Sequence, residues 1–263
     1  MPLTEFQRDI LRLLAANRQP ESHVAGGTAI NRSNTSPRYS ADIDLFHDVA
    51  ESVRTSSEKD TALLLQHGYE IEWLDQQAQM QRVVAKRAGQ ILKLEWCHDS
   101  AFRFFPAQKD PEFGYCLHPA DLATNKMLAL AARAEIRDFF DIIFLHTTYL
   151  SLGAICWAAC GKDQGFTPRS LLDFGKRHMK FREDDLAQVR LAQPISLVEL
   201  KQAWLQAVDD AERLVSRLPL AEVGCLYLNA ALTPITPDPA SAEFPKLIRH
   251  YGSIRGAWPV VKS

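Results

Sequence analysis

The chain has 263 residues, 46% of them apolar, enough to bury one large core or two modest ones. Thirty Lys and Arg stand against 32 Asp and Glu, so no global field marks nucleic acid or membrane as a partner, and any polyanion site has to be local. The five cysteines (Cys97, Cys116, Cys156, Cys160, Cys225) are odd in number and lack a CxxC pair; they suit reduced thiols in a cytoplasmic protein, not a disulfide framework or a zinc site, and the lone CxH of Cys116 and His118 is too little to hold zinc.

LTEFQRDILRLLA opens the chain as an amphipathic helix, with Phe6, Ile10, Leu13 and Leu14 on one stripe, and not as a signal peptide. SHVAGGTAI then reads as a strand running into a turn. ADIDLF reads as a second strand, by the alternation of Ile43 and Leu45 against Asp42 and Asp44, and the two strands are expected to pair. Asp48 is placed to cap a helix through about His67, and Gly68 fits its end. YEIEWL, MQRVVAKR and QILKLEW follow as three strands, the last two joined by an Ala-Gly turn.

The composition shifts after about Phe105. FPAQKDPEFGYC supplies linker-like residues, and HPADLATNKMLALAARAEIRDFFDIIFLHTTYL carries helical periodicity with Pro119 in a first turn. Ile142 to Gly161 lacks Asp, Glu, Lys and Arg, but its polar residues and Gly153 mark a buried core helix rather than a membrane span. TPRSLLDFGKRH, REDDLAQVRLA and SLVELKQAWLQAVDDAERLVSRL read as further helices, the first with Pro168 near its start and the last opening at Ser196. TPITPDPASAEFP reads as a surface loop before a basic tail. The expectation is an α+β protein: a small mixed-sheet core over residues 1–115, then a mainly helical domain over 116–263.

Asp42 and Asp44 leave one face of their strand, and two carboxylates that close repel unless a cation lies between them. Oxygen ligands of this kind suit Mg²⁺, which takes one or two carboxylates and completes its shell with water and substrate phosphates. Gly26 and Gly27 have no Cβ to obstruct a phosphate, and Thr28 has a hydroxyl to donate to one. If Leu92, Leu94 and Trp96 pack inward, Lys93 and Glu95 share the other face, where Glu95 is a metal ligand or a general base for an attacking hydroxyl.

GGTAI, the RYSADIDLF after its loop, the LKLEW strand and NKMLALAARAEIRDFFDIIFL together resemble the AbiEii/AbiGii toxin-type nucleotidyltransferase family, a branch of the polymerase-β-like superfamily, over residues 24 to 145. The resemblance implies a minimal nucleotidyltransferase core followed by a helical domain, and Mg²⁺-dependent transfer of a nucleoside monophosphate from an NTP. For toxin members it also implies a tRNA 3′ end as acceptor and an antitoxin encoded alongside. Carried over residue by residue, it gives Gly26, Gly27 and Thr28 for the phosphate turn, Asp42 and Asp44 for metal, and Lys126 with Asp138 for a later motif. Arg38 and Ser40 match the positions ahead of the DxD. The third carboxylate, commonly Asp in the superfamily, is Glu95 here.

On one unbroken helix from Pro119 to Leu150, Lys126, Arg133, Arg137 and Asp141 fall within roughly 80° of one another while Asp138 points elsewhere; a break near Ala134 changes that. Such a cationic face suits a triphosphate or the base and ribose, with Asp138 or Asp141 holding the cations. For an RNA acceptor, GKRHMKFR clusters Lys176, Arg177, Lys180 and Arg182 between Phe174 and Phe181, and after Glu243 the tail has Lys246, Arg249, Arg255 and Lys262 without an acid. Two alternatives use the same residues: an antibiotic-type nucleotidyltransferase acting on a small molecule, and a nucleotide-binding or interaction module without turnover.

Overall fold

A computed structural model describes residues 3–259. In chain order the elements are α1 (Glu5–Ala15), β1 (Ser22–Val24), α2 (Gly26–Ile30), β2 (Asp42–His47), α3 (Ala50–Gln66), β3 (Glu70–Gln77), β4 (Met80–Arg87), β5 (Gln90–His98), β6 (Phe102–Arg103), β7 (Gln108–Asp110) and β8 (Gly114–Cys116). Then come α4 (Pro119–Ala132), α5 (Ile136–Thr148), α6 (Leu152–Ala159), α7 (Pro168–His178), α8 (Glu183–Ala187), α9 (Leu197–Val215), β9 (Leu226–Leu228), β10 (Ile248–His250) and β11 (Ser253–Ile254). They form two compact units: Met1–Ala101 with Pro106–His118, and Phe102–Phe105 with Pro119–Ser263.

The first unit is built on a seven-stranded mixed sheet of order β3-β4-β5-β2-β1-β8-β7. β2 runs parallel to β5 and β1 parallel to β8, while the remaining neighbours are antiparallel. Period-two alternation sends Ile43, Leu45, Val83, Ala85, Leu92, Leu94 and Trp96 to one buried face. Helix α3 covers that face; its Asp60 accepts the Trp96 indole N–H at 2.7 Å and pairs with the buried Arg18 at 2.5 Å. Ala88 and Gly89, both in the left-handed region, make the tight β4–β5 turn.

Local differences from the sequence reading are instructive. GGTAI is the short helix α2 and not an open turn, entered through Gly26 at φ +63°. Helix α3 is capped by Val49 and not by Asp48, with no side-chain bond at the cap. The linker-like stretch before residue 116 instead supplies β7 and β8, which extend the main sheet: three-residue strands are too short to carry a periodic signal.

His47, on β2, is 1% exposed and lies 3.1 Å from the Ser22 hydroxyl. Burial, reinforced by the Arg18 charge, lowers its pKa to about 4. The unfolded imidazole takes its proton near 6.5, so between that pH and about 4 the unfolded state binds more protons than the folded one. Stability is therefore complete above the upper value and is expected to fall by about 3 kcal/mol as the pH drops through the window. Denaturant titrations across that range check this: His47→Gln should flatten the dependence, and an unaltered slope in that variant would assign it elsewhere.

The second unit is mainly helical. Helix α6 is buried at every position, and Phe139 of α5 meets Trp204 of α9 and Phe181 edge-on, with centroids 4.8 and 5.0 Å apart. The charge-free stretch expected to be one core helix is two, the end of α5 and all of α6, bent by 111°. Among the described residues no single helix is long and apolar enough to cross a membrane, although this bent pair has the length and composition. The α4–α5 break falls at residues 133–135, where Glu135 is extended, so the one-helix geometry does not apply. Asp121 in α4 accepts the backbone N–H groups of Phe104 and Phe105 at 2.8 and 3.1 Å and pairs with Lys162 at 2.7 Å, which ties Phe102–Phe105 into this unit.

Candidate active site

The face of the main sheet away from α3 brings three acidic residues of the first unit together. Asp42 and Asp44 lie on this face of β2, and the parallel register sets Asp42 opposite Lys93 and Asp44 opposite Glu95 of β5. Residues opposite one another in register share a face, so three carboxylates from two strands converge. The Lys93 ammonium lies 2.7 Å from Glu95 and 3.5 Å from Asp42. Burial works against its charge, but the bond to Glu95 and the neighbouring carboxylates outweigh that and raise its pKa. Arg82 of β4, opposite Glu95, adds a contact of 2.9 Å between Nε and Oε1.

The loop before β2 fixes the backbone of the acidic strand. The carbonyl oxygen of Asp42 accepts hydroxyl bonds from Thr28 at 2.6 Å and from Ser40 at 3.1 Å, and the Ser40 carbonyl accepts from the Gln7 amide at 2.9 Å. Thr28, expected to offer its hydroxyl to a phosphate, is fully buried and donates its single proton here instead. Thr28 and Ser40 thus position Asp42. Arg38 is 4% exposed and donates to the Tyr39 carbonyl at 3.1 Å, and its Nη2 would stand 2.8 Å from a Cβ at Gly27.

Gly26 has a tighter requirement. A Cβ there would stand 2.1 Å from Oδ2 of Asp44, and φ is positive. Gly26→Ala therefore has to swing the Asp44 carboxylate aside, at a backbone cost of about 1–2 kcal/mol. The expected outcome is a loss of transfer of at least about tenfold with a modest fall in melting temperature. Wild-type turnover in this variant would show that the Asp44 position is not critical.

The oxygen-only donor set fits a hard divalent cation. Among the described residues no group of three or more His, Cys, Asp or Glu side chains is placed to hold a metal ion by itself. Mg²⁺ is ordinarily held by one or two carboxylates with water and phosphate oxygens filling the rest of the shell.

In the second unit, the break between α4 and α5 turns Asp138 toward Lys126. Lys126 Nζ lies 2.9 Å from both Asp138 and Asp141, and Arg133 adds 2.9 Å to Asp138. Both aspartates are completely buried and Lys126 is 6% exposed, so it is not part of an open cationic face. Burial acts to raise the Asp138 pKa, but the Lys126 charge and the bonds from Arg133 and Lys126 override it and hold the carboxyl below its usual range.

The expected RNA patches are less open than the sequence suggests. Phe181 is buried against Phe139, Phe174 meets Phe166 edge-on, and Lys176 pairs with Glu212. In the tail, Lys246 pairs with Glu243 and Arg249 with Glu222, while Lys262 lies outside the described residues.

The main sheet thus sets an acid pair beside a third carboxylate, next to the glycine-started helix α2. The structure is similar to the nucleotidyltransferase toxin MenT4 of Mycobacterium tuberculosis, with 15% identity, a TM-score of 0.56, and coverage of 82% of this chain and 84% of that one. JHP933 of Helicobacter pylori is also similar, at 18% identity and a TM-score of 0.47, covering 80% of this chain and 91% of that one. No curated protein sequence matches. The family profile described as "Nucleotidyl transferase AbiEii toxin, Type IV TA system" matches residues 12–219, and the chain belongs to this family.

Proposed function

We propose that the protein transfers a nucleoside monophosphate from an NTP to the 3′ end of an RNA, with tRNA as the acceptor, in a Mg²⁺-dependent reaction. The observation that carries this reading is the register that brings Asp42, Asp44 and Glu95 onto one face of the main sheet. Asp42 and Asp44 would hold Mg²⁺, with Glu95 beside them. The cation supplies neutralisation of phosphate charge when bound. Gly26 and Gly27 are the turn that the resemblance assigns to the triphosphate; their missing Cβ atoms make room for the Asp44 carboxylate and the Arg38 guanidinium, while Thr28 and Ser40 keep the acidic strand in place. Glu95 is set to accept the proton of the attacking hydroxyl. In this reading Lys126 and Asp138 act in the later motif as the resemblance implies, Arg133 serves the nucleotide, and an antitoxin protein restrains the enzyme in the cytoplasm. Five free thiols suit that reducing compartment.

The test incubates purified protein with each labelled NTP and total tRNA, with Mg²⁺ or with EDTA. Label on tRNA only in the presence of Mg²⁺ is expected. Label on small-molecule hydroxyl acceptors alone, or no label with any acceptor, would replace this reading with one of the two alternatives.

A further inference from the structure

Nucleotidyl transfer brings two anionic substrates to one set of carboxylates, and the acceptor strand needs cations of its own. The sheet places two where they can serve. Across β2, β5, β4 and β3 the register runs Asp44, Glu95, Arg82, Asp75, and the adjacent row begins Asp42, Lys93, Val84. Arg82 and Lys93 therefore share the face of the three carboxylates.

Strand order gives this pair a side. In the sequence β4-β5-β2-β1, the cations lie on the β5 and β4 flank of Asp42 and Asp44, whereas α2 and its glycines follow β1 on the other flank. With the triphosphate beside the glycines, the acceptor hydroxyl approaches from the Glu95 side. The next strand outward from Glu95, about 5 Å away, carries Arg82.

Exposure agrees with that direction. The Arg82 and Lys93 side chains are each 37% exposed, against 13% for Glu95 and 10% for Asp42, so the cations stand over the acids they contact. Arg82 Nε is buried and forms an ion pair with Glu95 at 2.9 Å, without a hydrogen bond of proper geometry there. A guanidinium presents a fork of donors that matches a phosphodiester.

We propose that Arg82 and Lys93 form the acceptor subsite, holding the backbone phosphate of the RNA strand whose terminal hydroxyl is placed beside Glu95. This rests on the RNA-acceptor reading above. It makes both cations positioning residues that act on the acceptor and not on the NTP, so their loss separates the two substrates kinetically.

The experiment measures KM for total tRNA and for NTP, and the salt dependence of tRNA binding, in wild type, Arg82→Gln, Arg82→Lys and Lys93→Gln, with melting temperature as the folding control. Arg82→Gln is expected to raise the tRNA KM about tenfold, leave the NTP KM within about twofold, and make the slope of log K against log salt shallower by about 0.7–0.9. Lys93→Gln should act in the same direction. Arg82→Lys, which keeps the charge, should keep the wild-type slope and recover part of the affinity. Equal slopes in the Lys and Gln variants, or a rise in NTP KM alone, would overturn the subsite. If Arg82→Gln does not fold, a changed slope in Arg82→Lys overturns it equally. Wild-type protein that labels only small-molecule acceptors would remove the RNA reading and the subsite together, whereas wild-type transfer to tRNA with an unaltered Arg82→Gln removes the subsite alone.

Discussion

Asp44→Asn is expected to abolish nucleotide transfer, by at least about a thousandfold in kcat, while leaving the protein folded. The replaced oxygen charge is one of two on β2 available to a divalent cation, and removing such a ligand takes away several kcal/mol of charge stabilisation in the transition state, at about 1.4 kcal/mol per tenfold. The fold has little to lose: Asp44 is partly exposed on the face away from α3, and the buried side of its strand is made by Ile43 and Leu45. Easing repulsion between the acids can even raise the melting temperature slightly. Asp42→Asn should behave alike, with the added loss of the Lys93 contact. Single-turnover rates and melting curves on the same preparations check this, and full turnover in a folded Asp44→Asn protein would remove the acid pair from the chemistry.

Lys126→Ala is expected to have the largest effect on stability. A surface lysine would cost at most about 1 kcal/mol. Lys126 is instead enclosed, and its removal leaves Asp138 and Asp141 buried with one less cation, so about 3–5 kcal/mol is expected. The Asp138 carboxyl, held below its usual range by this lysine and Arg133, should then titrate higher. In wild type this stabilisation is present above the unfolded carboxyl pKa and is lost as pH falls through the lowered folded value; raising the folded value removes that loss, so the variant, less stable at neutral pH, should lose less stability on acidification than wild type. Lys126→Met distinguishes the contributions: it restores volume without charge, and a stability near wild type would show that packing and not the ion pairs matters here. Transfer by a folded Lys126→Arg protein, measured well below its melting temperature, tests the catalytic role expected of this residue apart from its structural one.

The parts of the site written in local alternation were legible in the sequence. Asp42 and Asp44 against Ile43 and Leu45, and Lys93 and Glu95 against Leu92, Leu94 and Trp96, identify which side chains share a face before any pairing is known. What alternation does not contain is register between distant strands. The juxtaposition of Asp44 with Glu95 arises only when β2 docks beside β5, whereas that of Arg82 with Glu95 is set by the β4–β5 hairpin. The sequence shows that Thr28 has a hydroxyl, but the direction of a hydroxyl depends on the nearest carbonyl, here that of Asp42. In the second unit, the helical period across residues 119–150 gave a cationic stripe. The break at residues 133–135 rotated Asp138 into it and converted an apparent surface into a buried ion cluster.

The parallel pairing of β2 with β5 also bears on when activity arises during folding. β3, β4 and β5 form a meander of near neighbours, whose pairings close short loops, whereas joining Asp44 to Glu95 closes the whole intervening chain. The hairpins are therefore expected to form first and the acid triad late. A nascent chain that has emerged only through β2 has both aspartates but not the third carboxylate or its flanking cations. If these acids act as proposed, the site is complete only once most of the first unit has been synthesised and docked, and a growing chain of this toxin family stays inactive until then.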